Sequence, residues 1–337
     1  MTMTVSTGPG ISQRTNVYAE RQMLKHAMPS LVLEKTGPLV KPMPKNKGVN
    51  IKFRRPVPFA ATTVPLQEGV TPTPTAFRYE DESVSLAQYG MVAEVTDVIE
   101  DTHEDPVLQD MTVQHGENIG RTMEQLDYAV LIGGTNVFYA NGTQRTDVNT
   151  PVSQAKLRAV ARALDAQKAM KITQVMSSSP DYATFPIEGG WVLVGHTDLD
   201  NDFRNLPGFK TVAEYGQRKI ISDREIGSVE NFRVLLSADL APIANGGGAK
   251  AGSGTTMVST AGTSSDIYPI LCFGKEAWGK VPLRGVNATD LLIRKVGSVD
   301  SGDPLAQRGT VGWKGWHGAV ILNQLWMGRL ECAATAL

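Results

Sequence analysis

Two strand-like stretches around a long aperiodic segment constrain this sequence more than any other feature. In the first, 49–59, apolar side chains alternate with mostly polar ones, as in a half-buried strand, and a return strand is predicted at 77–86. The 17 residues between them are rich in Thr, Pro and Gly. Pro56 and Pro58 confine the first strand to an edge. The pattern predicts a projecting hairpin, and because a two-stranded ribbon is marginal in water, we expect it to rest on another surface.

The segment before the hairpin, 1–48, is predicted to be an arm. Its scattered charges and five prolines leave too little apolar surface to offset its ordering entropy, so it should order only along another surface. Residues 1–60 carry a net charge of +8, whereas residues 61–127 carry −12. Complementary fields of this kind set the register and encounter rate between surfaces. The charges are equally compatible with simple solvation.

A long helix is predicted over 105–132, with Asp105 as N-cap, Pro106 at the first helical position and a glycine pair after its end. Its length would be roughly 40 Å at the helical rise per residue. Four acidic residues crowd the start, where the helix dipole favours negative charge. One stripe recurs at steps of three and four: Leu108, Met111, His115, Ile119, Met123, Leu126 and Val130.

The remainder predicts an α/β lobe and an α+β chain overall. Ser153 is expected to cap a second amphipathic helix, followed by a buried strand at 191–195 and a short helix from Thr197. Residues 244–266 are so rich in Gly, Ala, Ser and Thr that they predict a flexible excursion. A Trp-rich, almost uncharged C-terminal stretch predicts long strands in a packed sheet.

No motif predicts catalysis, a cofactor or a metal. The segment 274–280 begins like a phosphate-binding loop, but Val281 replaces the hydroxyl residue and Pro282 follows. Residues 198–202 resemble the start of a calcium loop without its glycine and final glutamate, and His196 is expected to be a structural histidine. Two cysteines in apolar stretches indicate buried free thiols and a reducing compartment. A soluble enzyme using residues 274–280 is the alternative.

Several stretches together resemble the major capsid proteins of N-four-like tailed bacteriophages, which have the Hong-Kong-97-type phage coat fold. The resemblance covers nearly the whole chain, and no one motif carries chemistry. The stretches that carry it are PGISQRT (9–15), LVLEK (31–35), IKFRR (51–55), LQEGVTP (66–72), TDVIEDTHEDPVL (96–108), GTNVFYANG (134–142), GHTDL (195–199), PGF (207–209), EIG (225–227), YPILCFGKEAWG (268–279), GDPLAQRG (302–309), WKGW (313–316) and ILNQLWMGRLE (321–331).

The resemblance implies a division of the chain and a role. The division is an N-arm at 1–48, an E-loop at 49–90, a P-domain at 91–149 with the spine helix 105–132, an A-domain at 150–270 and a return to the A-domain/P-domain sheet at 271–337. The implied role is a major head protein, not an enzyme, that self-assembles into the hexamers and pentamers of an icosahedral capsid in the virion. A shell-forming compartment protein of cellular origin is a second alternative.

The implied partners are further copies of the chain, packaged double-stranded DNA bound non-specifically, and separate scaffolding, cementing and portal proteins. The longest apolar runs fall far short of the roughly 20 residues that cross a bilayer, and no leader is recognised, so we expect assembly in the bacterial host cytoplasm without a membrane. The charge pattern makes six residues candidates for contacts between subunits: Arg54, Arg55, Glu68, Glu100, Asp101 and Glu104.

Overall fold

The computed structural model describes residues 31–44, 46–103, 107–176, 184–216, 218–252, 255–283, 289–299 and 302–336. The predictions made for residues 1–30, for Glu104 and for the helix start at Asp105 and Pro106 lie outside these ranges. The α-helices are α1 (Asp97–Thr102), α2 (Val107–Leu131), α3 (Gln154–Ala166) and α4 (Asp200–Arg204). A 3-10 helix, Leu33–Thr36, precedes them.

Within the described ranges the strands divide among five sheets. In chain order they are β1 (Leu39–Val40), β2 (Asn50–Pro56), β3 (Tyr79–Ser85), β4 (Ala87–Thr96), β5 (Val137–Tyr139), β6 (Ile172–Met176), β7 (Thr184–Gly195), β8 (Lys210–Thr211), β9 (Glu225–Val229), β10 (Phe232–Leu236), β11 (Ala251–Gly252), β12 (Thr255–Thr256), β13 (Tyr268–Phe273), β14 (Trp278–Lys280), β15 (Thr289–Arg294), β16 (Arg308–His317), β17 (Ala319–Ile321) and β18 (Met327–Cys332). The α+β class predicted from the sequence is confirmed.

An eight-stranded mixed sheet forms the main core. Its strands lie in the order β5-β18-β13-β7-β10-β9-β8, with β6 paired to β7. Strands β10, β13 and β18 are buried along their whole length, as expected for strands covered on both faces. Helix α3 covers one face with the four residues that its periodicity predicts, Leu157, Val160, Ala161 and Leu164. Ser153 occupies the N-cap position, but its carbonyl, not its side chain, makes the first bond.

A smaller three-stranded sheet, β15-β16-β4, carries the hairpin. Strand β4 pairs with β16 over ten residues, and the Trp313 indole of β16 donates a 3.0 Å hydrogen bond to Asn118 of α2. The predicted hairpin is confirmed as β2 paired with β3. Only Leu86 separates β3 from β4, and Val84 and Leu86 are buried against Met43 and Val281. The ribbon therefore extends directly from the sheet.

The stripe predicted for α2 describes its packing only in part. His115 is buried, but Val130 is exposed, and the other buried residues of α2 are Glu124, Asp127, Tyr128 and Leu131. The difference arises because the C-terminal half of α2 faces polar partners. The carboxyl of Glu124 accepts hydrogen bonds from the backbone of residues 32 and 33, and Asp127 bonds His317. Buried carboxyls require such partners.

The glycine-rich segment 244–266, predicted to be a flexible excursion, folds back on the sheet edge over its described residues. Gly247 and Gly248 exchange backbone hydrogen bonds with Ser265, and the Ser265 hydroxyl donates to the Val148 carbonyl at 2.7 Å. A Cβ at Gly247 would lie 2.4 Å from that carbonyl oxygen. Here glycine serves close packing, which composition alone cannot distinguish from flexibility.

Candidate assembly surfaces

Cross-strand ion pairs brace the hairpin. The Arg54 guanidinium donates two hydrogen bonds to the Asp81 carboxylate, at 2.7 and 2.9 Å, and lies 5.2 Å from the centre of the Tyr79 ring. Arg55 pairs with Glu80. Because successive side chains of a strand point to opposite faces, each face of the ribbon carries one pair.

Each of these ion pairs joins a residue of the basic segment 1–60 to a residue of the acidic segment 61–127. The Arg54 hydrogen bond holds the pKa of Asp81 below its usual range, and Asp81 in turn raises the pKa of Arg54. Both pairs are exposed, so salt should weaken them. Part of the complementarity between the basic 1–60 and the acidic 61–127 is thus satisfied within one chain.

The hairpin tip exposes apolar side chains. Val64 and Leu66 are 76 % and 77 % exposed, and Phe59 is 60 % exposed although its ring lies 5.9 Å from that of Phe77, tilted by 47°. Glu68 is the one charged residue within 57–77 and is exposed. A patch of exposed apolar side chains on a projecting ribbon is typical of a contact with another protein.

Helix α1 presents the second group of predicted contact residues. Glu100 and Asp101 are exposed, whereas Ile99 packs inward. Within the described part of the chain, no ion pair engages Glu68, Glu100 or Asp101. The structure therefore brings Arg54 and Arg55 to acids of their own hairpin and leaves these three acids facing solvent. Glu104 is outside the described residues.

A group of charges that the sequence did not predict lies where residues 32–36 meet the body; Glu124, Asp127 and His317 are buried, Lys280 is half-buried and Glu34 is exposed. We call this segment the arm root, and the arm-root cluster is Glu34, Glu124, Asp127, Lys280 and His317. Lys280 lies 2.8 Å from Glu34 and 3.6 Å from Asp127, and His317 lies 2.8 Å from Asp127. Its members come from four segments that are distant in the sequence, so no local spacing indicates it.

Several further contacts position the arm root. Val32 and Leu33 are fully buried, and the Trp278 indole donates a 2.8 Å hydrogen bond to the Thr36 hydroxyl. Gly37, with φ at 71°, ends the 3-10 helix in the left-handed region that favours glycine. Strand β1 then pairs in parallel with β14. The arm root is therefore part of the packed body.

Burial and charge act in opposite directions within the cluster. Burial, with a smaller contribution from the nearby Asp127 and Glu34 carboxylates, raises the pKa of Glu124 to about 7 although the backbone bonds from residues 32 and 33 oppose the shift. Burial alone would also raise the pKa of Glu34, but Lys280 outweighs it and lowers that pKa. For Lys280 burial is outweighed by Asp127 and Glu34, so its pKa is raised.

The motifs considered for chemistry have structural partners. Lys280, which ends the phosphate-loop-like segment 274–280, belongs to the arm-root cluster. Asp198 accepts a hydrogen bond from the Tyr268 hydroxyl, and Asp202 accepts one from the Thr335 amide. His196 accepts one from the Asp198 amide. No group of three or more potential ligands is placed to hold a metal within the described ranges.

Cys272 and Cys332 are buried free thiols, as predicted, and burial raises the pKa of both. Of the helices in the described residues, none combines the length and apolar character needed to span a bilayer.

Solved phage heads have the same fold. The capsid of Ralstonia phage GP4 matches with a TM-score of 0.66 at 12 % identity, covering 100 % of this chain and 99 % of that one. The head of Helicobacter pylori bacteriophage KHP40 matches with a TM-score of 0.62 at 12 % identity over 98 % and 97 % of the two chains. The capsid of cyanophage P-SCSP1u matches with a TM-score of 0.59 at 16 % identity over 95 % and 94 %.

These likenesses confirm the Hong-Kong-97-type capsid fold that the sequence resemblance implied. No curated protein sequence matches the chain. A model of the family described as phage capsid protein matches residues 79–330, and the chain therefore belongs to the phage capsid protein family.

Proposed function

We propose that this protein is the major capsid protein of a tailed bacteriophage, and that it self-assembles into the hexamers and pentamers of an icosahedral shell enclosing double-stranded DNA. The observation that carries the proposal is the family match over residues 79–330. The exposed, apolar hairpin tip supports it, because such a surface in an isolated subunit requires a partner.

Within that role we propose the division that the sequence resemblance implied. Residues 1–48 act as the N-arm, 49–90 as the E-loop, and 91–149 as the P-domain with α2 as spine helix. Residues 150–270 act as the A-domain, and 271–337 return to the A-domain/P-domain sheet. The motifs quoted from 9 to 331 support placement in the N-four-like group.

We infer that the six candidate residues act at subunit contacts in two ways. Glu68 at the tip and Glu100 and Asp101 on α1 are exposed carboxylates that basic side chains of a neighbouring copy can pair with. Arg54 and Arg55 hold the ribbon that carries the tip. We assign Glu104 to the first group because it follows the same acidic run in the sequence.

The shell role is structural, and we propose no reaction or cofactor for the chain. Lys280 of the phosphate-loop-like segment pairs with Glu34, and Asp198 and Asp202 of the calcium-loop-like segment accept hydrogen bonds from Tyr268 and Thr335. Residues 60–77 contain no lysine, so we expect no covalent Lys–Asn link at the hairpin tip. Scaffolding, cementing and portal functions belong to separate proteins, and the packaged DNA contacts the inner face through non-specific charge interactions.

The test is negative-stain electron microscopy of the full-length protein after sedimentation, first alone and then co-expressed with the scaffolding protein of its phage. We expect closed or tubular shells, or rings of capsomer size. A monomer under all salt conditions, with and without the scaffold, would contradict the shell role. Nucleotide binding by calorimetry in that case would favour the enzyme alternative.

A further inference from the structure

The arm root is attached to α2 through one buried carboxyl group. Glu124, only 2 % exposed, accepts hydrogen bonds at the same oxygen, Oε1, from the amides of Val32 at 2.9 Å and Leu33 at 3.0 Å. These amides open the 3-10 helix and have no partner within it. A side chain about 90 positions away in the sequence thus caps the first turn of the arm root.

The described cations near Glu124 form ion pairs with the neighbouring carboxylates and not with Glu124 itself. Asp127 on α2 has both Lys280 of β14 and His317 of β16 as partners, and Glu34 on the arm root has Lys280. Lys35, next to Glu34, also acts on that carboxylate. Among the described residues, no cation lies within ion-pair distance of Glu124, and the attraction between Lys280 and Glu124 is weaker than that between Lys280 and either Asp127 or Glu34. An ionised Glu124 is therefore a buried anion beside two carboxylates, an arrangement that is costly unless the site opens.

We propose that the arm-root cluster is a proton-linked clasp, in which residues 32–36 stay docked on α2 while Glu124 carries a proton and detach as Glu124 ionises. Docking and detachment describe the single subunit, so the clasp does not depend on the shell role.

The direction of the pH dependence follows from linkage. The docked state raises the pKa of Glu124 to about 7, and opening returns the carboxyl to water, where its pKa is about 4.3. The docked state therefore binds the proton more tightly. This contribution is fully present below the solvent pKa and is lost as pH rises through about 7.

Glu34 and Lys280 contribute to stability at other pH values. The lowered pKa of Glu34 gives stability that is present above its ordinary value and lost in acid. The raised pKa of Lys280 gives stability that is lost only in strong alkali. His317 contacts Asp127, and the variant His317→Asn separates the effect of this histidine on docking from that of Glu124.

Hydrogen exchange of the full-length protein between pH 6 and 8, corrected for intrinsic rates, tests the clasp. We expect protection of the residue 32 and 33 amides to fall by up to about tenfold per pH unit above pH 7. Amides of β13 serve as the internal reference for global opening. Flat protection of the arm root across this range would overturn the proposal.

Substitutions identify the residue whose ionisation controls the docking of the arm root. Glu124→Gln keeps a carbonyl acceptor and removes the charge, so the arm root should stay protected at pH 8. His317→Asn should keep the pH dependence of the wild type, and Glu117→Gln on the same helix is the matched control. If His317→Asn abolishes the dependence while Glu124→Gln retains it, the switch is His317 and the Glu124 clasp is wrong. Because exchange is measured on the subunit, these outcomes stand whether or not shells form.

Discussion

Arg54 and Arg55 are adjacent in the sequence and pair with adjacent acids, Asp81 and Glu80, on opposite faces of the ribbon. The sequence predicted both arginines as contacts between subunits. The charge pattern alone does not distinguish attraction between the basic and acidic blocks of one chain from attraction between two chains. Only the register of β2 with β3, which brings Arg54 opposite Asp81, shows that partners are available in the same hairpin.

A charge swap distinguishes two roles of the arginines, stabilising the hairpin and contacting a neighbouring subunit. Arg54→Asp with Arg55→Glu should impair assembly more than folding, since four acids would then repel across the ribbon. Adding Glu80→Arg and Asp81→Arg restores the cross-strand pairs with reversed sign, and we expect shells to return, counted by electron microscopy. If the fourfold variant assembles as poorly as the double one, the arginines act on a neighbouring copy instead.

Among the elements, those with local periodicity were predictable. The apolar face of α3 and the hairpin strands follow from spacing within a few residues. The arm-root cluster was not predictable, because Glu34, Glu124 and Lys280 are brought together only by the tertiary fold. Glu124 and Asp127 resemble ordinary surface residues of a helix, so the buried face of α2 was predicted to be apolar, whereas it carries two carboxyl groups beside Tyr128 and Leu131.

Two glycines in different elements should respond oppositely to alanine. At Gly247 the added methyl would meet the Ser265 hydroxyl at 2.3 Å and the Val148 carbonyl at 2.4 Å, so Gly247→Ala should cost about 1–3 kcal/mol by overpacking. Gly116 lies within α2 with nothing near its Cβ position, and Gly116→Ala should stabilise by ~0.5–1 kcal/mol.

Urea unfolding of both variants measures these changes in the free energy of unfolding. Equal effects at the two sites would mean that the 244–266 segment is as loosely held as its composition suggested. A loss at Gly247 alone would establish that the segment is packed in solution.

At the scale of the whole molecule, the exposed hairpin tip should matter for assembly and not for folding. Val64→Ser with Leu66→Ser removes apolar groups that are about three-quarters exposed, so the thermal midpoint should stay within about 1–2 °C of the wild type. Shell yield should fall, because a neighbouring copy loses the apolar surface that it would cover.

The chain offers a matched control for this change. Val299 and Leu305 are 75 % and 77 % exposed on a different loop, and both can be replaced by serine. If both serine pairs reduce the shell yield equally, or if the tip pair leaves it unchanged, the tip has no special role in assembly.

The direct continuation of β3 into β4 makes the hairpin a lever. The long arm of the lever is the ribbon of β2 and β3. It turns about the small apolar cluster of Val84, Leu86, Met43 and Val281. The short arm is β4, which pairs with β16 next to α2. We therefore expect a sideways force on the tip to reach the sheet as a torque, since only Leu86 lies between β3 and β4. In a shell of such subunits, strain at one contact would be felt as a twist in the body of the same subunit.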